Sequence, residues 1–302
     1  MTGRHPAKGA IGFSVSGMKH YEIDGYRNSP CSFAALSLTG GQCGCQCAHC
    51  GGSLLQGMAD ASTPEKLAAC IDKAAGMGCT GVLVSGGSGL DGAVPVLPAM
   101  EGIAYAKSKG LKVLVHTGLA DKATAAALKK ANVDQALCDV IGSAKTIKGV
   151  YGLDKSPEDF YASMLCCVEA GIETAPHLVV GLDFGRIEGE YRAIDMVRRA
   201  GAKRFVLVVL APRRGTQMAG VRPPLPEDVV KVFRYAADTL PGVQIALGCA
   251  RPSIHAADLE KAAVDLGFGA IAYPRQSTVD YARGIGLAPY FFEECCSLVG
   301  NG

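Results

Sequence analysis

Residues 33–52 read FAALSLTGGQCGCQCAHCGG, an alternating apolar run followed at once by a glycine-rich loop with four cysteines. The alternation predicts a β-strand, so the thiols should lie at the strand's C-terminal end. Cys43, Cys47 and Cys50 have the spacing C-x3-C-x2-C. Thiolates select iron–sulfur clusters, zinc or Cu(I). A cubane cluster normally takes four cysteines, so a loop that offers three leaves one iron with an open position, which is where chemistry takes place.

The cysteine loop allows two other interpretations. A zinc knuckle could use Cys43, Cys45, Cys47 and Cys50, but four ligands so close in sequence would crowd a tetrahedron. Structural zinc sites usually draw pairs of ligands from two separated knuckles, and no second C-x2-C occurs in the chain. A disulfide pair is a weaker interpretation. The sequence therefore favours a cluster on three cysteines, with Cys45 as a spacer that binds no metal.

Composition restricts the class of protein. The chain has 302 residues, of which 49% are hydrophobic and 19% charged, and its net charge is +2. These values predict a folded protein rather than a disordered one, and they argue against nucleic acid as the main partner. Apolar runs such as 205–210 are far too short to span a membrane, and the N-terminus lacks the apolar stretch of a signal peptide. We therefore expect a cytoplasmic protein whose 13 cysteines are metal ligands, catalytic thiols or buried residues rather than a disulfide framework.

Strand and helix patterns alternate along most of the chain. Predicted strands are 33–39, 80–85, 111–116, 133–140, 172–180, 203–210, 243–248 and 268–273. Predicted helices are 64–77, 98–110, 121–131, 157–170, 188–200, 226–240, 255–266 and 277–284. Eight such units predict a parallel (β/α)8 barrel of the TIM type, with an open doubly wound sheet as the alternative. The predicted domains are an N-terminal extension (1–30), one barrel (31–286) and a C-terminal tail (287–302) that packs over the barrel mouth.

Polar and glycine-rich segments follow the predicted strands, at the end where barrel enzymes carry their chemistry. Residues 85–92 contain a G-x-G-x-x-G pattern, but Pro95 and Pro98 follow where a dinucleotide-binding motif would open a helix, so we reject that site. His116, Asp139 and His177 end or lie on the third, fourth and fifth strands. Two histidines and a carboxylate could bind one metal ion, and a zinc-dependent barrel hydrolase is thus an alternative function.

The C-x3-C-x2-C loop after a first strand resembles the signature of the radical S-adenosylmethionine (radical SAM) superfamily. The resemblance implies that Cys43, Cys47 and Cys50 hold a [4Fe–4S] cluster whose open iron binds SAM. It further implies reductive cleavage of SAM to methionine and a 5′-deoxyadenosyl radical, which abstracts hydrogen from the substrate. The implied SAM contacts are Gly86, Gly87, Asp139, Val180 and Gly181, with Asp139 toward the ribose hydroxyls.

Two later stretches resemble the biotin-synthase-like branch of that superfamily. These are RGTQM at 214–218 and LGCAR at 247–251, with Arg251 at the place of a cluster-binding arginine. The strand cysteines that hold the second cluster of biotin synthase are missing. The sequence also resembles the paired proteins that form an archaeal-type lipoyl synthase, and this resemblance implies sulfur insertion into a protein-bound octanoyl chain. Cys249, Cys295 and Cys296 would then hold an auxiliary iron–sulfur cluster.

The same resemblance implies the partners. These are a one-electron reductant of the ferredoxin or flavodoxin type, a second radical SAM subunit and an octanoylated carrier protein. A third function that fits the sequence is that of a non-catalytic iron–sulfur subunit of a larger complex.

Overall fold

A mostly parallel, curled sheet of 11 strands forms the centre of the computed structural model, which describes residues 9–17 and 19–299. The strands run in the order β13-β1-β12-β11-β10-β9-β8-β7-β6-β4-β5, and β2 and β3 form a separate hairpin. Their bounds are β1 Ala10–Ser14, β2 Glu22–Ile23, β3 Tyr26–Arg27, β4 Phe33–Ser37, β5 Ala59–Asp60, β6 Gly81–Ser85, β7 Lys112–His116, β8 Gln135–Asp139, β9 Thr174–Val180, β10 Arg204–Val209, β11 Gln244–Leu247, β12 Ala270–Ala272 and β13 Ala288–Phe292.

Helices connect the successive parallel strands. They are α1 Pro64–Gly76, α2 Met100–Ser108, α3 Lys122–Lys130, α4 Ala144–Thr146, α5 Pro157–Glu169, α6 Glu190–Ala200, α7 Pro226–Thr239, α8 Ala256–Asp265 and α9 Gln276–Gly284. Local sequence fixes their starts: the Thr63 hydroxyl accepts a hydrogen bond from the Lys66 amide before α1, and Ser156 with Asp159 forms a capping box at α5. In the described part of the chain, every helix is too short or too polar to cross a membrane.

The predicted succession of strands and helices is present. Each of the eight predicted strands overlaps one of β4 and β6 to β12, and these eight lie side by side in chain order. The predicted α/β class with a parallel sheet is therefore confirmed. The largest apolar clusters lie between this sheet and the helices, because parallel strands are covered on both faces.

The ends of the sheet differ from a closed eight-stranded barrel. On one side β12 pairs with β1, which pairs in turn with β13, and on the other side β4 pairs with the two-residue strand β5. Within the described residues, no pairing joins β4 to β12. Residues from both the predicted extension and the predicted tail thus extend the sheet, because the short apolar segments 10–14 and 288–292 supply strands to its edge.

The chain after β13 enters the concave side of the sheet rather than only covering its mouth. Leu298 packs there against a cluster that includes Phe33 and Leu114. The Gln135 side-chain amide donates a hydrogen bond to the Ser297 carbonyl oxygen at 3.1 Å. The Lys112 ammonium lies 2.6 Å from a Glu294 carboxylate oxygen. The tail therefore fills part of the concave interior beneath the strand ends that carry the candidate site.

Candidate active site

The cysteine loop follows β4 and is fixed by main-chain hydrogen bonds to three neighbouring loops. The amides of Gly44 and Cys45 both donate to the Ser88 carbonyl after β6, at 2.9 and 3.1 Å. Ala48 donates to the Val150 carbonyl at 2.8 Å and accepts from the Met218 amide at 3.2 Å. The loop is thus held at the C-terminal edge of the sheet by segments that follow β6, β8 and β10.

The three cysteines of the motif are gathered in this loop as free thiols. Cys47 and Cys50 are buried, and Cys43 is half-buried. The Cys47 thiol donates a hydrogen bond to the Cys50 sulfur, which lowers the pKa of Cys50 to about 4 and raises that of Cys47. The Cys45 sulfur lies 2.9 Å from the Gly89 carbonyl oxygen, and its thiol also interacts with the Cys47 side chain. The assignment of Cys45 as a spacer that binds no metal therefore stays a prediction.

The glycine segment after β6 lies against the cysteine loop. A β-carbon on Gly87 would lie 2.1 Å from the Gln42 carbonyl oxygen and 2.5 Å from the Cys43 α-carbon. Only glycine allows so close an approach. The Gly87 amide also donates to the Thr39 hydroxyl at 2.7 Å. Because three thiols lie in one loop beside a close glycine segment, the residues present fit a [4Fe–4S] cluster with an open iron.

His116, Asp139 and His177 lie together on adjacent strands, as their spacing predicted. The His116 Nε2 atom is 3.6 Å from a carboxylate oxygen of Asp139, and the two imidazole rings are 6.2 Å apart. Asp139 and His177 are direct partners across β8 and β9. The Tyr151 hydroxyl reaches the Asp139 carboxylate at 3.5 Å. These side chains form a polar group at the strand ends.

The pKa values of this group indicate that His116 and Asp139 form a charged pair and that the His177 ring is neutral. Burial would lower the pKa of His116, but the Asp139 carboxylate outweighs burial and the net pKa is raised. Burial would likewise raise the pKa of Asp139, yet His116 lowers it overall. Burial lowers the pKa of His177 to about 4. The His177 Nδ1 atom lies 2.9 Å from the Ala175 carbonyl oxygen, so the neutral ring donates there and keeps Nε2 as an acceptor.

Comparison with solved structures identifies the fold. HydG, the FeFe-hydrogenase maturase from Carboxydothermus hydrogenoformans, superposes with a TM-score of 0.62 at 17% identity, covering 97% of this chain and 70% of HydG. Methylornithine synthase (PylB) gives 0.59 at 14%, covering 85% and 83%. SuiB from Streptococcus suis, solved with bound S-adenosylmethionine, gives 0.55 at 14%, covering 74% and 51%. These neighbours are radical SAM enzymes. The chain has the radical SAM fold. No protein-family model and no curated protein sequence matches it.

The zinc-hydrolase alternative requires a site for one metal ion. Among the residues that the structure describes, no group of three or more His, Cys, Asp or Glu side chains is arranged to hold a metal ion. A zinc site needs its ligands within about 2.0–2.3 Å of one ion, whereas the cysteines of a cubane cluster bind different irons. The zinc-dependent hydrolase therefore stays a prediction from the sequence.

Two of the predicted SAM contacts, Val180 and Gly181, lie at the end of β9 and directly after it. Val180 is fully buried in the core beneath the helices, so its side chain is not available to a ligand. Gly181 has φ 79°, and a β-carbon there would lie 2.6 Å from Pro224. Its amide donates to the Glu190 carboxylate at 2.8 Å. No pattern in the sequence indicated Glu190 as the residue that anchors this turn.

The thiols predicted for an auxiliary cluster lie on two segments, the loop after β11 and the tail. Cys249 is exposed after β11, and Cys295 and Cys296 lie on the tail inside the sheet. The hydrogen bond from Cys296 lowers the pKa of Cys295 to about 6, and the charge of Cys295 acts on both Cys249 and His116. The tail therefore brings two of these cysteines toward the third and toward the polar group.

Arg251 is not available as a cluster ligand on this fold. Its guanidinium pairs with the Glu260 carboxylate at 2.6 Å, and the two side chains are 6% and 1% exposed. It also donates to the carbonyl oxygens of Gly248, Ala272 and Tyr273 at 2.8–2.9 Å. The biotin-synthase resemblance implied a cluster-binding role, whereas the structure places Arg251 in a buried ion pair.

Two residues of the site were missed by the sequence. Tyr151 ends a single π-helical turn, Ile147–Tyr151, a feature often found at functional sites. Its ring packs 5.6 Å from His49, between two cysteines of the motif, while its hydroxyl reaches Asp139. His49 Nδ1 is buried and has no hydrogen-bond partner among the described residues. An irregular turn of this kind has no periodic sequence pattern, so Tyr151 could not be predicted as a site residue.

Proposed function

We propose that the protein is a radical SAM enzyme that cleaves SAM reductively and uses the resulting 5′-deoxyadenosyl radical to abstract hydrogen. The observation that carries this proposal is the gathering of Cys43, Cys47 and Cys50 as free thiols at the end of β4, against the Gly86-Gly87 segment. A [4Fe–4S] cluster bound there would supply one electron to the sulfonium of SAM. The radical SAM fold supports the same assignment.

The chain's own residues would then bind and orient SAM. The carbonyl groups of Gly86 and Gly87 are candidates for its amino group, since the missing side chains allow close approach. The Asp139 carboxylate, kept ionised by His116, is suited to accept from ribose hydroxyls. The main chain at Val180 and Gly181 is a candidate support for the adenine ring. The concave sheet would exclude water from the radical.

This proposal is tested by anaerobic incubation of the purified, iron-reconstituted protein with SAM and dithionite. The expected result is formation of 5′-deoxyadenosine and methionine, measured by chromatography and mass. A non-catalytic iron–sulfur subunit would give the brown colour of a cluster without 5′-deoxyadenosine. A protein that is colourless after reconstitution would contradict the cluster itself.

We further propose that the substrate is a protein-bound octanoyl chain and that the product carries inserted sulfur, as in lipoyl synthesis. The support is the resemblance at 214–218 and 247–251 and the electrostatic interaction of Cys249 with the thiols of the tail. A second iron–sulfur cluster on these thiols would supply the sulfur. In this proposal a second radical SAM subunit completes the reaction on an octanoylated carrier protein.

Replacing Cys249 and Cys295 by Ala tests the auxiliary cluster. The double variant should bind about four fewer irons per chain, since a cubane cluster holds four, because two of its proposed ligands are lost. Iron content and the visible absorption of the anaerobic protein measure this, with Cys166→Ala on α5 as a matched control that should change neither. Unchanged iron in the double variant would end the proposal of an auxiliary cluster and leave the SAM-cleaving site untouched.

A further inference from the structure

A groove lies between the loop after β9 and the segment that precedes α7, and we call it the β9 groove. Phe184, Tyr191 and Leu225 line it, and their side chains are 37%, 40% and 57% exposed. Large apolar residues that share one concave surface and remain in contact with water are typical of interaction sites. Aromatic residues in particular are enriched at the centres of protein interfaces.

Phe184 is held on this surface by an unfavourable backbone conformation. Its φ is 52°, in the left-handed region that bulky side chains rarely adopt. The loop is fixed there because the buried Asp183 carboxylate pairs with Lys145 at 3.1 Å and with Arg186 at 3.0 Å. Strain of this kind persists where the surrounding structure determines it, and it is found at functional sites. The chain thus presents an aromatic ring at the groove at a local cost.

Basic side chains border the β9 groove. Arg186, Arg222 and Lys231 lie along it, and Asp228 is the carboxylate among its lining residues. Asp228 is engaged by Lys231 at 2.7 Å. Arg222 is exposed, and no described carboxylate lies within ion-pair distance of it. Because Arg186 is paired with Asp183, the uncompensated positive charge at the border is that of Arg222, which favours a partner with an acidic surface.

One wall of the groove leads to the cysteine loop through the loop after β8. The Phe184 ring lies over Gly149, where a β-carbon would be 4.0 Å from the ring. The next residue, Val150, accepts a hydrogen bond from the Ala48 amide at 2.8 Å. Ala48 stands between Cys47 and Cys50. The wall is thus in contact with a turn bonded directly to the proposed cluster loop.

The other wall reaches the same residue from the segment after β10. The Val221 amide donates to the Met218 carbonyl at 3.0 Å, and the Met218 amide donates to the Ala48 carbonyl at 3.2 Å. Val221 lines the groove next to Arg222. Both peptide groups of Ala48 are therefore occupied by the two walls. A protein seated in the groove would be coupled to the cluster loop by short chains of covalent and hydrogen bonds.

We propose that the β9 groove docks the protein that donates single electrons to the cluster. This inference rests on the proposed function, which requires such a donor. The occupant is an acidic electron carrier of the ferredoxin or flavodoxin type, which places an apolar side chain beside Phe184 and Leu225 and carboxylates toward Arg222 and Lys231. Charge complementarity of this kind raises association rates by 10–10³-fold at low salt. The residues that line the groove include none of the polar group, so docking would leave that group free for SAM and substrate.

The test compares two reductants on the same variants. With a reduced flavodoxin as donor, Arg222→Glu and Leu225→Ser should each slow 5′-deoxyadenosine formation about tenfold at low salt, and added salt should narrow the difference for Arg222→Glu. With dithionite, which needs no docking, both variants should match the unaltered protein and so prove to be folded and loaded with iron. Arg198→Glu, a charge reversal on an exposed face of α6, is the matched control and should behave normally with both reductants.

The outcomes separate this inference from the proposed function. Failure of the unaltered protein with dithionite would contradict SAM cleavage itself. Normal rates with flavodoxin in both groove variants, with dithionite rates intact, would overturn the docking inference alone. Normal electron transfer combined with loss of binding to an octanoylated carrier protein would likewise overturn it, and would assign the groove to the carrier instead.

Discussion

Replacing Cys43, Cys47 or Cys50 singly by Ala should remove most of the cluster iron and abolish SAM cleavage. Each cysteine would bind a different iron, and the fourth thiol of the loop, Cys45, is held by a contact with the Gly89 carbonyl. Loss of a residue that only orients a metal ligand costs a metal site about 10–100-fold in affinity or activity. Loss of a direct ligand should therefore lower 5′-deoxyadenosine formation by more than about 100-fold.

Cys45→Ala is the matched control for these three variants. It makes the same chemical change in the same loop, and it should keep iron content and cleavage rate within about twofold, as expected for a residue that binds no metal. Iron per chain, visible absorption and 5′-deoxyadenosine are measured together on anaerobic samples. Equal losses in all four variants would show that the loop simply unfolds. A loss confined to Cys45→Ala would mean that the ligand set was assigned incorrectly.

The features that could be predicted from the sequence are those encoded by short-range patterns. The strand 33–37 and its cysteine loop show as alternation followed by fixed spacing, and the eight units show as apolar runs separated by capped helices. Strand order also followed, because successive parallel units tend to lie side by side. His116, Asp139 and His177 could be placed close together because they end or lie on neighbouring strands.

The missing features depend on contacts between residues far apart in the chain. Strand β1 pairs with β12 and β13, which lie about 260 to 280 positions later in the chain. No pattern within residues 10–14 indicates which strands they pair with. The insertion of the tail beside Leu114 has the same origin. Tyr151 was missed because an irregular π-helical turn has no periodic signal. The role of Arg251 was assigned from sequence resemblance. A resemblance indicates the position of a residue along the chain, but it does not show that Arg251 pairs with the Glu260 carboxylate on α8.

Arg251→Met should destabilise the fold by about 3–5 kcal/mol, the cost of leaving one partner of a buried ion pair without the other. Glu260 would keep the Arg275 amide and the Thr278 hydroxyl as donors, at 2.8 and 2.6 Å, but it would lose its cation inside the protein. The carbonyl groups of Gly248, Ala272 and Tyr273 would lose their donor as well. Equilibrium unfolding of the iron-loaded protein in denaturant, under anaerobic conditions, measures the change.

A second variant distinguishes this structural role from cluster binding. Arg251→Met with Glu260→Leu removes both charges, and replacing a buried pair by apolar side chains is often neutral. The double variant should therefore recover much of the stability lost in the single one. Iron content and cleavage rate should follow stability in both. If Arg251→Met unfolded at the same denaturant concentration as the unaltered protein but lost iron, Arg251 would be a cluster residue after all, because a broken ion pair acts on the whole fold whereas a lost ligand acts on the metal alone.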